Sequence, residues 1–297
     1  MIRESAEKGG LNWMLECLLF AAVLIASAVA EAIPSVVLIL VNFLSRKEDP
    51  IDADAGLLVS LFSTAIAVVV VLLFCRFAQK RPPASVGFRK KNAGREYLVG
   101  MLVGTVMISA AIGLCAATGS VRIGRADEFR VGLWVAYLIG FLIQGASEEI
   151  LFRGYFMVSF ARKNSLVAAV IISSVFFAAA HLLNEGVNAL ALANLFLFGV
   201  LAALWILRRG SLWGACAMHS LWNFVQGNVF GVSVSGTETV ASPLETVADA
   251  GRTFWNGGEF GAEGGFSVTI VLAIGVLLLL FVIPDRSDER AGSVSLG

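Results

Sequence analysis

Histidine is nearly absent from this chain, with two residues in 297, His181 and His219, and neither lies in a polar stretch. Charge is scarce as well, at 15% of residues, and 22 basic side chains cancel 22 acidic ones. That balance removes the electrostatic footprint that a nucleic-acid surface requires, so no nucleic-acid partner is expected. The four cysteines, Cys17, Cys75, Cys115 and Cys216, all sit in apolar runs without a CxxC spacing. They exclude a disulfide framework and a thiolate metal site and read as small buried hydrophobes. The helical zinc motif HExxH is also missing, as is the GxSxG context of a serine nucleophile.

What the chain has instead is apolar length. At 58% hydrophobic residues it carries more than a soluble globule of this size can bury. Crossing about 30 Å of hydrocarbon takes about 20 apolar residues. Eight segments meet that length, near 11–44, 56–77, 97–119, 132–160, 166–183, 187–207, 211–230 and 266–283. The fold class expected is therefore an all-α integral membrane protein, a bundle of about eight transmembrane helices. The first segment is too long for one straight span, and Glu31 followed by Pro34 suggests a kink or an interfacial stretch. Arg3, Lys8 and Ala28-Val29-Ala30 resemble a signal peptide, but the apolar run resumes from Ile33 to Leu44, which favours a retained helix.

With eight spans, most Lys and Arg fall on the side of the N-terminus, the 78–95 loop, the turns at 161–165 and 208–210 and the C-terminal tail. The positive-inside bias then makes that side, with both termini, cytoplasmic, and leaves Glu48, Asp49, Asp52 and Asp54 outside. The localisation expected is the cytoplasmic membrane of a bacterium. No internal repeat of the transporter kind is visible. The polar, glycine-rich stretch from about 231 to 265 reads as an external loop, because its backbone cannot satisfy itself in lipid.

The fourth segment contains Gly145-Ala146-Ser147-Glu148-Glu149-Ile150-Leu151-Phe152-Arg153. Carboxylates at bilayer depth are costly, so two adjacent ones must face protein or a water-filled cavity, and a function is the default expectation. On a helix Glu149 and Arg153 share a face four residues apart, while Glu148 points about 100° away and is left for other partners. The fifth segment adds Phe177 and His181, and the seventh adds His219 and Asn223, stacked at i and i+4. Alone, each feature has a plainer reading, a helix-pinning ion pair or a satisfied core imidazole. Together they supply a base for water activation and donors for an oxyanion. Glu148, His181 and His219 could equally hold a divalent metal such as zinc. By helix rise Glu149, His181 and His219 lie about 20, 27 and 15 Å from the nearest cytoplasmic turns, so they converge only if helices tilt or turns lie off the hydrocarbon edge.

The ordered set Glu148-Glu149-x-x-x-Arg153, Phe177-x-x-x-His181 and His219-x-x-x-Asn223 resembles the CPBP family, the CAAX-protease and bacteriocin-processing group of intramembrane endopeptidases. All seven positions agree, and Gly257-Gly258 to Glu263 looks like the glycine-rich end of bacterial members. The resemblance implies 1–95 as N-terminal transmembrane helices with a basic cytoplasmic loop, 96–285 as the catalytic core, and 286–297 as a polar tail. It implies hydrolysis of a membrane-embedded or lipidated peptide within the bilayer, reached from the cytoplasmic half. Glu148 would activate the water with His181 assisting, His219 and Asn223 would stabilise the oxyanion, and Glu149, Arg153 and Phe177 would support them. The family is named for a metal, and the motif leaves its participation open. A non-catalytic immunity or partner protein on the same fold is the alternative, and a transporter with a Glu–His proton relay a more distant one.

Overall fold

Apolar runs become long helices because a backbone in lipid must pair with itself. The computed structural model describes residues 10–45 and 53–283. Among these, eight long helices run alternately up and down: α1 (Trp13–Leu44), α2 (Ala53–Leu73), α3 (Ala93–Ala117), α4 (Val131–Ala161), α5 (Leu166–Ala179), α6 (Ala189–Arg209), α7 (Leu212–Asn228) and α8 (Phe266–Phe281). Local chemistry marks their ends. Asn12, Ser165 and Asn188 accept backbone N–H bonds at the starts of α1, α5 and α6, and Gly210 closes α6 in the left-handed conformation. Pro34 lies inside α1, which continues through it as one helix of 32 residues. The expectations attached to Arg3, Lys8, Glu48, Asp49, Asp52 and the 286–297 tail lie outside the described residues.

The surface is inside out. Leu98, Leu102 and Val106, one turn apart on α3, are each more than half exposed, and such a stripe is at home only against lipid. The chain is an integral membrane protein. Five helices among the described residues, α1, α2 with its extension to Ala78, α3, α4 and α6, are long and apolar enough to cross a bilayer. The expected eight spans are therefore met by length in five. α5, α7 and α8 have 14, 17 and 16 residues. At 1.5 Å per residue that is about 21–26 Å, short of the hydrocarbon thickness.

α7 is the axis of the bundle, buried at every position from Gly214 to Asn228. α3 crosses it at Gly100 and Gly104, where a Cβ would overlap the carbonyl oxygens of Gly214 and Met218. Small residues spaced four apart let two membrane helices touch backbone to backbone.

The two ends of the bundle differ. At the basic end, with Lys80, Arg89, Lys90, Arg162, Lys163 and Arg208, the 79–92 segment folds upward into the bundle. Its Gly87 carbonyl receives the N–H of Leu212, so α7 starts below the surface, with Leu212 fully buried. Arg81, buried in the same segment, donates to Ser159 Oγ at 2.8 Å and to the Gly154 carbonyl at 3.2 Å. Burial pushes the pKa of Arg81 below the usual arginine value. At the opposite end two connections pair as strands, β1 (Val121–Arg125) antiparallel to β2 (Leu244–Ala248), with Val121 opposite Ala248. This strand pair departs from the all-α expectation. Asn256 ties it to the glycine-rich segment by donating to the carbonyls of Ser120, at 2.8 Å, and Asp249, at 2.9 Å. Gly257 and Gly261 adopt positive φ where a Cβ would strike backbone carbonyls, so the glycine-rich loop is a close-packed cap.

Candidate active site

The Glu pair sits where α4 changes form. Immediately after Glu149 the helix widens to π geometry over Ile150–Met157, a feature that often accompanies functional sites. The π turn loosens the backbone ladder there, and the Arg81 bond to Gly154 occupies one of its carbonyls.

Arg153 Nη1 donates to Glu149 Oε1 at 3.0 Å, with both side chains 0% exposed. The same oxygen accepts from His219 Nδ1 at 2.9 Å. A carboxylate only accepts, so Nδ1 carries the proton and the other ring nitrogen is turned outward. That nitrogen, Nε2, lies 3.7 Å from Glu148 Oε2. Glu148 Oε1 accepts from Gln144 Nε2 at 2.5 Å, and Gln144 Oε1 accepts from Asn223 Nδ2 at 2.9 Å. A polar circuit thus runs from Arg153 through Glu149, His219, Glu148 and Gln144 to Asn223, laced between α4 and α7.

His181 joins from another direction. α5 stops at Ala179 and His181 occupies the tight turns that follow, so a short helix brings it level with residues from longer ones. Together with the raised start of α7, this resolves the mismatch in depth that helix rise implied. His181 Nδ1 donates to the Phe177 carbonyl at 2.8 Å, which leaves Nε2 with its lone pair. The Phe177 ring lies under the Arg153 guanidinium at 4.3 Å and against both imidazoles, at 4.9 Å from His181 and 5.9 Å from His219.

Glu148, His181, His219 and Asn223 all line one cavity of about 230 Å³, together with Gln144 and Glu263. Glu149 and Arg153 do not line it, and Glu149 meets the site through its bond to His219. The remaining walls come from α2 between Leu57 and Thr64, from Phe141, Leu195 and Phe198, and from the 180–188 connection and residues 234–237. The mouth therefore faces the end opposite the basic one. The α5 turn and the cap build the entrance, and both follow the helix ends that carry few Lys or Arg.

Among the described residues no three His, Cys, Asp or Glu side chains are placed to hold a metal ion. His181 and His219 each commit Nδ1 to a protein acceptor, which leaves the Nε2 lone pair of both rings free to act as a base or a ligand. Gln144 and Glu263 were not singled out from the sequence. Gln144 carried a signal, four residues before Glu148 on the same helix face. Glu263 carried only its place in the glycine-rich stretch.

Residues 130–225, which hold all seven motif positions, match the family model of the type II CAAX prenyl endopeptidases, Rce1-like. This stretch is a CPBP, or CAAX protease, family core. The CPBP core spans α4 to α7 and so contains both helices of the polar circuit as well as His181. The chain is also 29% identical over 160 residues to an uncharacterized 24.3 kDa protein of Escherichia coli, a match covering 51% of this chain and 72% of that protein. No solved structure matches. The CPBP core points to a membrane protease of the CAAX type.

Proposed function

We propose that this protein is an intramembrane endopeptidase that hydrolyses a peptide bond of a membrane-associated substrate with a water activated by Glu148. The observation that carries the reading is one cavity shared by the Glu148 carboxylate, two imidazoles and the Asn223 amide. Glu148 Oε2 is buried without a protein hydrogen bond and takes a proton from water, while the unprotonated Nε2 of His181 orients that water. The hydroxide attacks the scissile carbonyl carbon. The resulting oxyanion receives an N–H of Asn223 and, when the ring is doubly protonated between its two carboxylates, the Nε2–H of His219. Collapse of the tetrahedral intermediate breaks the C–N bond, and Glu148 returns its proton to the leaving amine. Arg153 and Glu149 hold the His219 ring for this step, as the aspartate of a serine protease triad holds its histidine. In this reading the basic end is cytoplasmic, in a bacterial cytoplasmic membrane with both termini inside, and the substrate enters from the outer half.

The test is turnover of membrane peptides by the purified protein in lipid nanodiscs, with and without a chelator. Glu148→Gln and His181→Ala should accumulate normally and lose nearly all cleavage, since general-base catalysis is worth about 10²–10⁴ in rate. Asn223→Ala should keep a measurable residue, losing one oxyanion donor at about 10²–10³. Cleavage at the wild-type rate by Glu148→Gln would refute the assignment. A chelator-sensitive wild type would return a metal to the mechanism.

A further inference from the structure

The cavity holds a second carboxylate that hydrolysis does not use. Glu263 is brought there by the glycine-rich cap and is 8% exposed. Its Oε2 accepts from the backbone N–H and the hydroxyl of Ser235, both at 2.7 Å. Its backbone carbonyl accepts from Asn194 Nδ2 at 2.8 Å, and Asn194 also holds the Gly265 carbonyl at 2.9 Å and the Thr269 hydroxyl at 2.7 Å. The side chain is thus fixed from two directions. Its other oxygen, Oε1, makes no hydrogen bond among the described residues, and the side chain lines the cavity.

The charge inventory of the walls is one-sided. Two carboxylates, Glu148 and Glu263, line the cavity, and no lysine or arginine does. A carboxylate away from bulk water is costly until a cation or a set of donors meets it. Ser235 satisfies half of Glu263, and the cavity walls offer no lysine or arginine to the rest. An anionic group entering here would meet like charge from both carboxylates and be disfavoured.

We propose that Glu263 sets substrate specificity by receiving the cationic side chain of a lysine or arginine of the substrate peptide. The assignment rests on the peptidase reading above and adds the chemical class of residue that the site selects. Glu263 acts on binding and on the register of the peptide in the cavity, whereas Glu148 acts on the water.

The experiment uses the full chain in nanodiscs and apolar fluorescent decapeptides identical except for one position, scanned as Lys, Ala or Glu. Binding is measured on the Glu148→Gln chain, where no cleavage intervenes. At one position the lysine peptide should bind about tenfold or more tightly than the glutamate peptide. Glu263→Gln keeps an acceptor for Ser235 and should erase that preference, and Glu263→Lys should reverse it, with melting curves to certify folding. A lysine peptide that binds no better than its glutamate twin, including no binding of either, overturns the proposal. So does a preference that survives Glu263→Gln. Cleavage is read separately on chains with Glu148 intact, and there Glu263→Gln should raise KM for the lysine peptide more than for the alanine peptide. Charge-selective binding through Glu263 with no cleavage of any peptide would refute the peptidase reading and leave the cation site standing.

Discussion

Replacing Arg153 by methionine tests the polar circuit at its innermost link. The change keeps an unbranched apolar stem and removes the charge, so the cavity left behind is small and the effect reports mainly on Glu149. In the native arrangement the pair is 0% exposed on both sides, with one bond of 3.0 Å. Breaking a buried pair from one side costs about 3–5 kcal/mol. Glu149 keeps the His219 N–H, and a hydrogen bond to a charged group is worth about 1.5–3 kcal/mol, so a loss near the lower end, about 3 kcal/mol, is expected. Methionine also gives up the guanidinium contact over Phe177. Adding Glu149→Gln removes the stranded charge, and the double variant should recover much of the loss, with a coupling of about 2–3 kcal/mol. The assay is reversible unfolding in mixed detergent micelles of the wild type, both single variants and the double. Arg153→Met unfolding like the wild type, or single losses that simply add, would refute the buried pairing. Arg153→Lys should restore stability only in part, because an ammonium lacks the planar face that stacks on Phe177.

Two further outcomes follow from the packing and the charge distribution. A cysteine placed in the 83–92 segment should be labelled from the cytoplasm and one at Thr237 only from outside, and reversed labelling would move the cavity mouth to the cytoplasmic side. Gly104→Leu drives a side chain into the Met218 carbonyl and should cost both abundance and stability, whereas Gly113→Leu, with open space around its Cβ, should leave both near wild type; equal effects would show that the α3–α7 crossing is not where the bundle is tight.

The parts legible from sequence were those that depend on neighbours along one helix. The segment near 132–160 emerged as α4 because a long apolar run has few other conformations in lipid. The contact of Glu149 with Arg153 was readable from a four-residue spacing, and Gln144 with Glu148 could have been read by the same rule. Arrangements between elements were hidden. That α5 ends at Ala179 and not at Leu183 is decided by the turns around His181, whose apolar neighbours continue the hydropathy signal beyond the helix. The strand pair joins residues more than a hundred positions apart, and nothing local in either strand names its partner. The direction of the cavity mouth depended on the capping segment, whose polar composition said only that it could not span lipid. Glu263 reaches the cavity through its links to Ser235 and Asn194, and no local spacing encodes them.

The burial of α7 has a consequence for biogenesis. A helix that carries His219, Ser220, Asn223, Gln226 and Asn228 partitions poorly into bare lipid when it leaves the translocon, and it is not among the helices apolar enough to cross unaided. It gains its place only in a groove already walled by α3, at Gly100 and Gly104, and by α4. A nascent chain therefore keeps Glu148 and His219 apart until its earlier helices have gathered.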